Sequence, residues 1–114
     1  MKKIESYKHN FAKDLLKVWL DPFYLVKLEQ KFYFNNRILF IPDLSCYKNN
    51  KLISIIEIIH KSDITGKKLG KIQMYQYFNE LQFDIFTIYA EWILRQTKRP
   101  ERLELYNFTT KIWN

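Results

Sequence analysis

The chain has 114 residues, 47% of them hydrophobic and 18% aromatic, with a formal net charge of +7 and a sequence pI of about 9.5. That length supports one domain with a true core and leaves no room for two of ordinary size, while the composition excludes a disordered chain. The positive excess favours polyanions as partners, nucleic acid before an anionic membrane surface.

Cys46 is the only cysteine. It can form no intramolecular disulfide and no cysteine-built zinc centre, and it suits a reducing, cytoplasmic setting. The N-terminal MKKIESYKHN is basic but is followed by no apolar stretch. The longest apolar runs are of strand length and broken by charge, so neither secretion nor a membrane span is expected. Heavy use of Lys, Ile, Asn and Tyr suggests an AT-rich genome, and the expected setting is the cytoplasm of a bacterium or of a phage-infected host.

Ser6 stands where it can cap a helix from Tyr7 to Leu20, which has to end before Asp21-Pro22. Phe11, Ala12, Leu15, Leu16 and Trp19 gather on one arc of that helix and form its core face. His9, Lys13 and Lys17 make an i, i+4, i+8 row along the edge of the arc, facing solvent or a site. Phe23 to Lys31 reads either as a short helical turn or as an edge strand. Lys31 to Phe34 reads as a strand, followed by a turn at Asn35-Asn36.

Arg37 to Tyr47 and Lys51 to His60 then read as two strands joined by a turn over Lys48-Asn49-Asn50-Lys51. The second is apolar on both faces, Ile53 and Ile55 on one and Ile56 and Ile58 on the other, which places it in the middle of a sheet covered by helices. Pro42 has no N–H for a ladder and marks a bend or an edge just before Asp43.

A helix follows over Gly66 to Leu81, basic early at Lys67, Lys68 and Lys71 and apolar at Leu69, Ile72, Tyr75 (or Met74) and Phe78. Tyr75, Tyr77 and Phe78 are expected mostly in the core, with stacking on unpaired bases a further use for one or two of them. Phe83 to Tyr89 reads as a strand, Ala90 to Gln96 as a short helix, and Leu103 to Trp113 as an extended or partly strand-like tail. The order α, β, β, β, α, β, α predicts an α/β (α+β) fold in one domain over residues 1–114, with a mixed central sheet flanked by helices.

Two acidic residues, Asp43 and Glu57, stand inside these apolar runs, fourteen positions apart. A buried, unpartnered carboxylate costs several kcal/mol at least, so Glu57 needs compensation. In a hairpin turning at residues 48–51, Asp43 lies roughly across from Glu57. Two carboxylates at one spot repel unless a cation lies between them. Such oxygen ligands suit Mg²⁺ or Mn²⁺, which can assist phosphodiester cleavage. Each residue also has a plainer use: Asp43 in a turn, Glu57 in a buried salt bridge, His9 and His60 at the surface, the lysines on a solvated face, Cys46 as a small buried side chain.

The run Ile41-Pro42-Asp43, then Glu57 followed by Ile58-Ile59-His60-Lys61-Ser62, resembles the PD-(D/E)XK nuclease superfamily, within it the CoiA-like competence proteins and related small nucleases. Upstream, His9, Ala12 and Lys13 look like the H-x-x-A-K first helix of that group. Downstream, the basic helix and Tyr89-Ala90-Glu91-Trp92 look like its next helix and I-D-A-E strand end. The resemblance covers about residues 5–95 and leaves 96–114 as an extension.

The resemblance implies a restriction-endonuclease-like αβββαβ core and a Mg²⁺- or Mn²⁺-dependent endonuclease acting on DNA, not on membranes. It also implies that a homodimer is possible. By the same resemblance Asp43, Glu57 and the Ile58 backbone carbonyl would bind metal. The lysine of E-x-K is replaced here by Ile59, and the candidates to act in its place are His60, Lys13, His9 and Lys61. His60 and Lys13 are favoured, because the first-helix and E-x-x-H patterns put them near the pair. Lys17, Lys48, Lys51, Lys67, Lys68 and Lys71 form the expected phosphate-contacting set. Two other functions are compatible with the chain: a catalytically silent nucleic-acid-binding module on the same fold, and a small phage factor that binds a host protein.

Overall fold

The structure, a computed structural model, describes residues 7–60 and 64–107, and the main chain of 112–113. Helix α1 covers Tyr7–Leu20 and strand β1 Leu25–Leu28. Strands β2 (Phe32–Phe34), β3 (Arg37–Phe40), β4 (Leu44–Lys48) and β5 (Lys51–Ile59) follow. Helix α2 (Gly66–Phe78), strand β6 (Asp84–Tyr89) and helix α3 (Ala90–Arg95) precede two short strands, β7 (Tyr106–Asn107) and β8 (Ile112–Trp113).

The expected mixed sheet is present, with six strands in the order β1-β4-β5-β6-β7-β8. Only β5 and β6 run parallel, joined through α2 in a crossover. The segment from Phe23 to Lys31, open between turn and strand, supplies the edge strand β1, paired antiparallel with β4. The tail after residue 96 adds β7 and β8 to the far edge.

Three expectations are corrected. Arg37 to Tyr47 is not one strand: the bend at Ile41-Pro42-Asp43 divides it, and β3 pairs with β2 in a separate two-stranded sheet. Pro42 causes the division, because it cannot donate to a ladder. Five strands therefore stand between the first two helices, not three. Finally, α2 stops at Phe78, where Asn79 caps it by donating its main-chain N–H to Tyr75 and Tyr77 carbonyls.

Both hairpins turn on Asn pairs with left-handed backbone, Asn35 and Asn36 at φ 50° and 65° and Asn49 and Asn50 at 53° and 62°. Asn tolerates that conformation, and such two-residue turns match the twist of the strands they join. Between β4 and β5 the register slips once. Lys48 and Tyr47 face Lys51 and Leu52, but Cys46 faces Ser54 and Leu44 faces Ile56, leaving Ile53 as the bulged residue. Ile53 accordingly packs with Ile56 and Ile58 instead of sharing the face of Ile55.

The sheet has apolar matter on both faces. On one, Ala12, Leu16, Trp19 and Leu20 of α1 and Ile93 of α3 bury against Leu44, Ile56, Ile58 and Ile88. On the other, Ile72 of α2 packs with Ile55, Ile85, Phe83 and the Phe32–Phe40 ring pair of the small hairpin. Ser6, and Lys61 with Ser62 and Asp63, lie outside the described residues.

Candidate functional site

The site forms where the ends of β4 and β5 meet α1 and α2. Past the bulge, the β4–β5 register brings Asp43 level with Glu57. The Asp43 main-chain N–H donates to Glu57 Oε1 at 3.0 Å, and the Ile58 N–H donates to Asp43 Oδ2 at 2.8 Å. Both acidic residues are buried, at 8% and 7% exposure. Burial is the main influence that raises the Glu57 carboxyl, the Asp43 charge adds to it, and Lys68 opposes both, leaving the group at about 7.

Side-chain alternation sends Glu57 toward α2 and His60 toward α1. On the α2 side, Lys68 Nζ donates to Glu57 Oε2 at 2.8 Å and to the Ile41 carbonyl at 3.1 Å. Thr65 fixes the start of that helix by accepting from the Lys68 N–H, which aims the first turn at the sheet end. Thr87, in register beside Glu57 on β6, is 1% exposed, and its hydroxyl has no hydrogen-bond partner among the described residues.

On the α1 side, His9 Nε2 lies 3.1 Å from Asp43 Oδ1 and His9 Nδ1 lies 2.9 Å from His60 Nε2. With both rings neutral, only one proton arrangement satisfies the chain: His60 Nε2–H donates to His9 Nδ1, and His9 Nε2–H donates to Asp43. Asp43, at the bend after Pro42, thus joins the two faces of the sheet.

The structure brings together Asp43, Glu57, His9 and His60 from the expected set, and it adds Lys68, expected only on the phosphate-contacting rim. Lys13 is buried at 4% exposure, and its ammonium donates to Glu29 Oε1 at 2.9 Å. That hydrogen bond is the main influence holding the Glu29 carboxyl low. Lys17 pairs with Asp21. Lys67 and Lys71 lie near Lys68 on α2.

Lys48 and Lys51 flank the hairpin turn, six residues or about 20 Å along β5 from Glu57, so they do not belong to this cluster. Lys61 lies outside the described residues. Ile59, where the resemblance sought a lysine, is buried at 7% exposure beside Glu57's face of β5. One participant, Glu29, is not singled out by the sequence, and Lys68 is placed by it only among the phosphate-contacting lysines. Glu29 sits in the ambiguous segment, held at φ 49° with its N–H donating to the Asp43 carbonyl. Lys68 carried one usable signal, an empty lysine position at Ile59 together with basic residues directly after a helix cap.

Among the described residues no group of three or more His, Cys, Asp or Glu side chains is arranged to hold a metal, so metal binding here would rest on two carboxylates with main-chain and water oxygens. Comparison with protein-family models, with curated proteins and with solved structures gave no match.

Proposed function

We propose that the chain is a divalent-metal-dependent endonuclease of PD-(D/E)XK type that hydrolyses phosphodiester bonds in DNA. The observation that carries this reading is the convergence of Asp43, Glu57 and Lys68, two buried carboxylates and an ammonium linked by hydrogen bonds at one sheet end.

The donor set fits Mg²⁺ or Mn²⁺. Each carboxylate offers about four lone-pair directions and uses two, and the Thr87 hydroxyl beside them is unpartnered among the described residues. Asp43 and Glu57 would hold the ion, with the Ile58 carbonyl as a further oxygen. Such an ion supplies charge neutralisation at the phosphate and a more acidic water.

The chain's own groups do the rest. Lys68, steadied by the Ile41 carbonyl, is placed to donate to a phosphate oxygen or to orient the attacking water, the role Ile59 cannot fill. His60 keeps its second ring nitrogen for proton transfer, because Nε2 is engaged by His9 and the residue is exposed. Lys17, Lys67 and Lys71 would track phosphates, and a homodimer would supply one site per strand.

The experiment is incubation with supercoiled, single-stranded and branched DNA in Mg²⁺ or Mn²⁺. Asp43→Asn and Glu57→Gln each reduce cleavage by on the order of 100-fold or more. Unchanged cleavage in either variant overturns the assignment. One observation favours a second reading, a non-catalytic nucleic-acid-binding module: Lys68 and His9 already partner the two carboxylates within the protein itself. That reading predicts salt-sensitive DNA binding, no cleavage and no effect of divalent ions.

A further inference from the structure

Helix α2 carries three lysines in its first six residues, no acidic residue, and Tyr75, Tyr77 and Phe78 in its last turn. The expectation that these aromatics are core holds for Tyr75, which packs on Phe32 and Phe40. It fails for the other two: Tyr77 is 78% exposed and Phe78 60%. Phe78 stacks on Phe34 of the small hairpin, centroids 5.2 Å apart and planes at 19°, and Tyr77 stands edge-on to Phe78 at 5.3 Å and 83°. These contacts fix the rings while leaving aromatic surface open to solvent.

Tyr77 also lines a cleft of about 750 Å³, with Lys51, Gln73, Gln82, Phe83 and Asp84. An adjoining cleft of about 580 Å³ continues past Tyr77 onto Phe78 and Glu80. Amide, carboxylate and aromatic groups together do not form an anion site. They match a flat heterocycle with donors and acceptors on its edge: Gln pairs with adenine-like edges, a carboxylate accepts from exocyclic amines, and a ring stacks on any base.

The cleft and the proposed catalytic end lie at opposite ends of the same helix. Tyr77 is nine residues beyond Lys68 on the same helix, about 14 Å along its axis. Lys71 lies on the way from Lys68 to Phe78, which follows seven residues later on the same flank of the helix, and Lys51 lines the cleft. A strand whose phosphate sits at Lys68 would follow Lys71 and reach the aromatic pair within a few nucleotides. In a duplex the base faces are covered by their neighbours, so this surface suits only unpaired bases.

We infer that the C-terminal end of α2, with Tyr77, Phe78 and the glutamine-lined cleft, is a subsite for unpaired nucleobases, which makes a single-stranded segment the preferred substrate of the proposed nuclease. This rests on the nucleic-acid reading given above. It also assigns a use to Lys51, which is remote from the carboxylates.

The test is fluorescence anisotropy in EDTA, which blocks cleavage, with three probes: a single-stranded oligonucleotide, the same backbone with abasic sites, and the matching duplex. The protein binds the base-bearing strand most tightly. Tyr77→Ala and Phe78→Ala each weaken that binding by about 5- to 150-fold, and leave abasic and duplex binding unchanged. Tyr77 is exposed enough that its variant folds normally, checked by an unaltered Tm. Equal binding of all three probes by the unsubstituted chain, or no loss in either variant, overturns the subsite and leaves the nuclease reading standing. Absence of binding to any probe overturns both. A dimer that dissociates in Phe78→Ala shows the surface to be a contact between copies and overturns the subsite alone.

Discussion

Glu57→Gln is expected to stabilise the protein at neutral pH while abolishing the proposed catalysis. The Glu57 carboxyl, ordinarily near 4.5, stands at about 7 in the folded state, raised first by burial and next by the Asp43 charge. Below pH 4.5 folded and unfolded chains both hold this proton, and the group has no effect on the balance. Between 4.5 and 7 the folded state holds the proton and the unfolded state has released it, so raising the pH favours unfolding by about 1.4 kcal/mol per unit. The accumulated penalty is on the order of 3 kcal/mol by pH 7 and stays constant above it. Glutamine keeps an acceptor for the Asp43 N–H and carries no charge, so it escapes this slope. The assay is urea unfolding followed by tryptophan fluorescence from pH 4.5 to 8, read as the difference between the two proteins so that other titrations cancel. The variant gains on the unsubstituted protein as pH rises through this window. Parallel curves would refute the reasoning, because they would mean that Glu57 titrates alike in both states.

Lys68→Met removes the ammonium from Glu57 and lowers cleavage by roughly 100-fold, the usual loss for a preorganised charge-stabilising donor, measured in single-turnover assays. Adding Ile59→Lys to that variant restores part of the rate, since residue 59 shares Glu57's face of β5. Failure of any second-site rescue would show that the helix, and not merely the charge, is required. Leu16→Ala, at a position with no exposure between α1 and the sheet, lowers unfolding free energy by roughly 2–5 kcal/mol in urea titration.

Much of this architecture is written in local pattern. The apolar arc of Phe11 to Trp19 and the Asp21-Pro22 stop define α1 almost to the residue, although Phe11 itself stays 45% exposed. Asn49-Asn50 announces the central hairpin, and counting from it brings Asp43 to within one residue of Glu57, the difference being the bulge at Ile53. What local pattern omits is partnership. In the run from Arg37 to Tyr47, Pro42 signals a bend or an edge, but nothing says that β3 turns away to β2 while β4 stays in the sheet. The pairing of Glu57 with Lys68 crosses from β5 to α2, so it depends on where the crossover lays the helix. The Lys13–Glu29 pair likewise needs β1 to be an edge strand beside α1, the choice left open by the sequence.

The bulge at Ile53 reaches further than its own neighbourhood. Continued from the turn without it, the ladder would set Ile56, and not Glu57, across from Asp43, because Tyr47 faces Leu52 there. One surplus residue acts as an offset that brings two distant carboxylates into phase. The chain interval between them is therefore quantised: two residues gained or lost symmetrically around the Asn49-Asn50 turn would preserve the site. A single deletion in β4 between Asp43 and the turn, with the bulge kept, would instead slide Glu57 past its partner, whereas deleting Ile53 itself would only straighten the ladder and leave the two in phase.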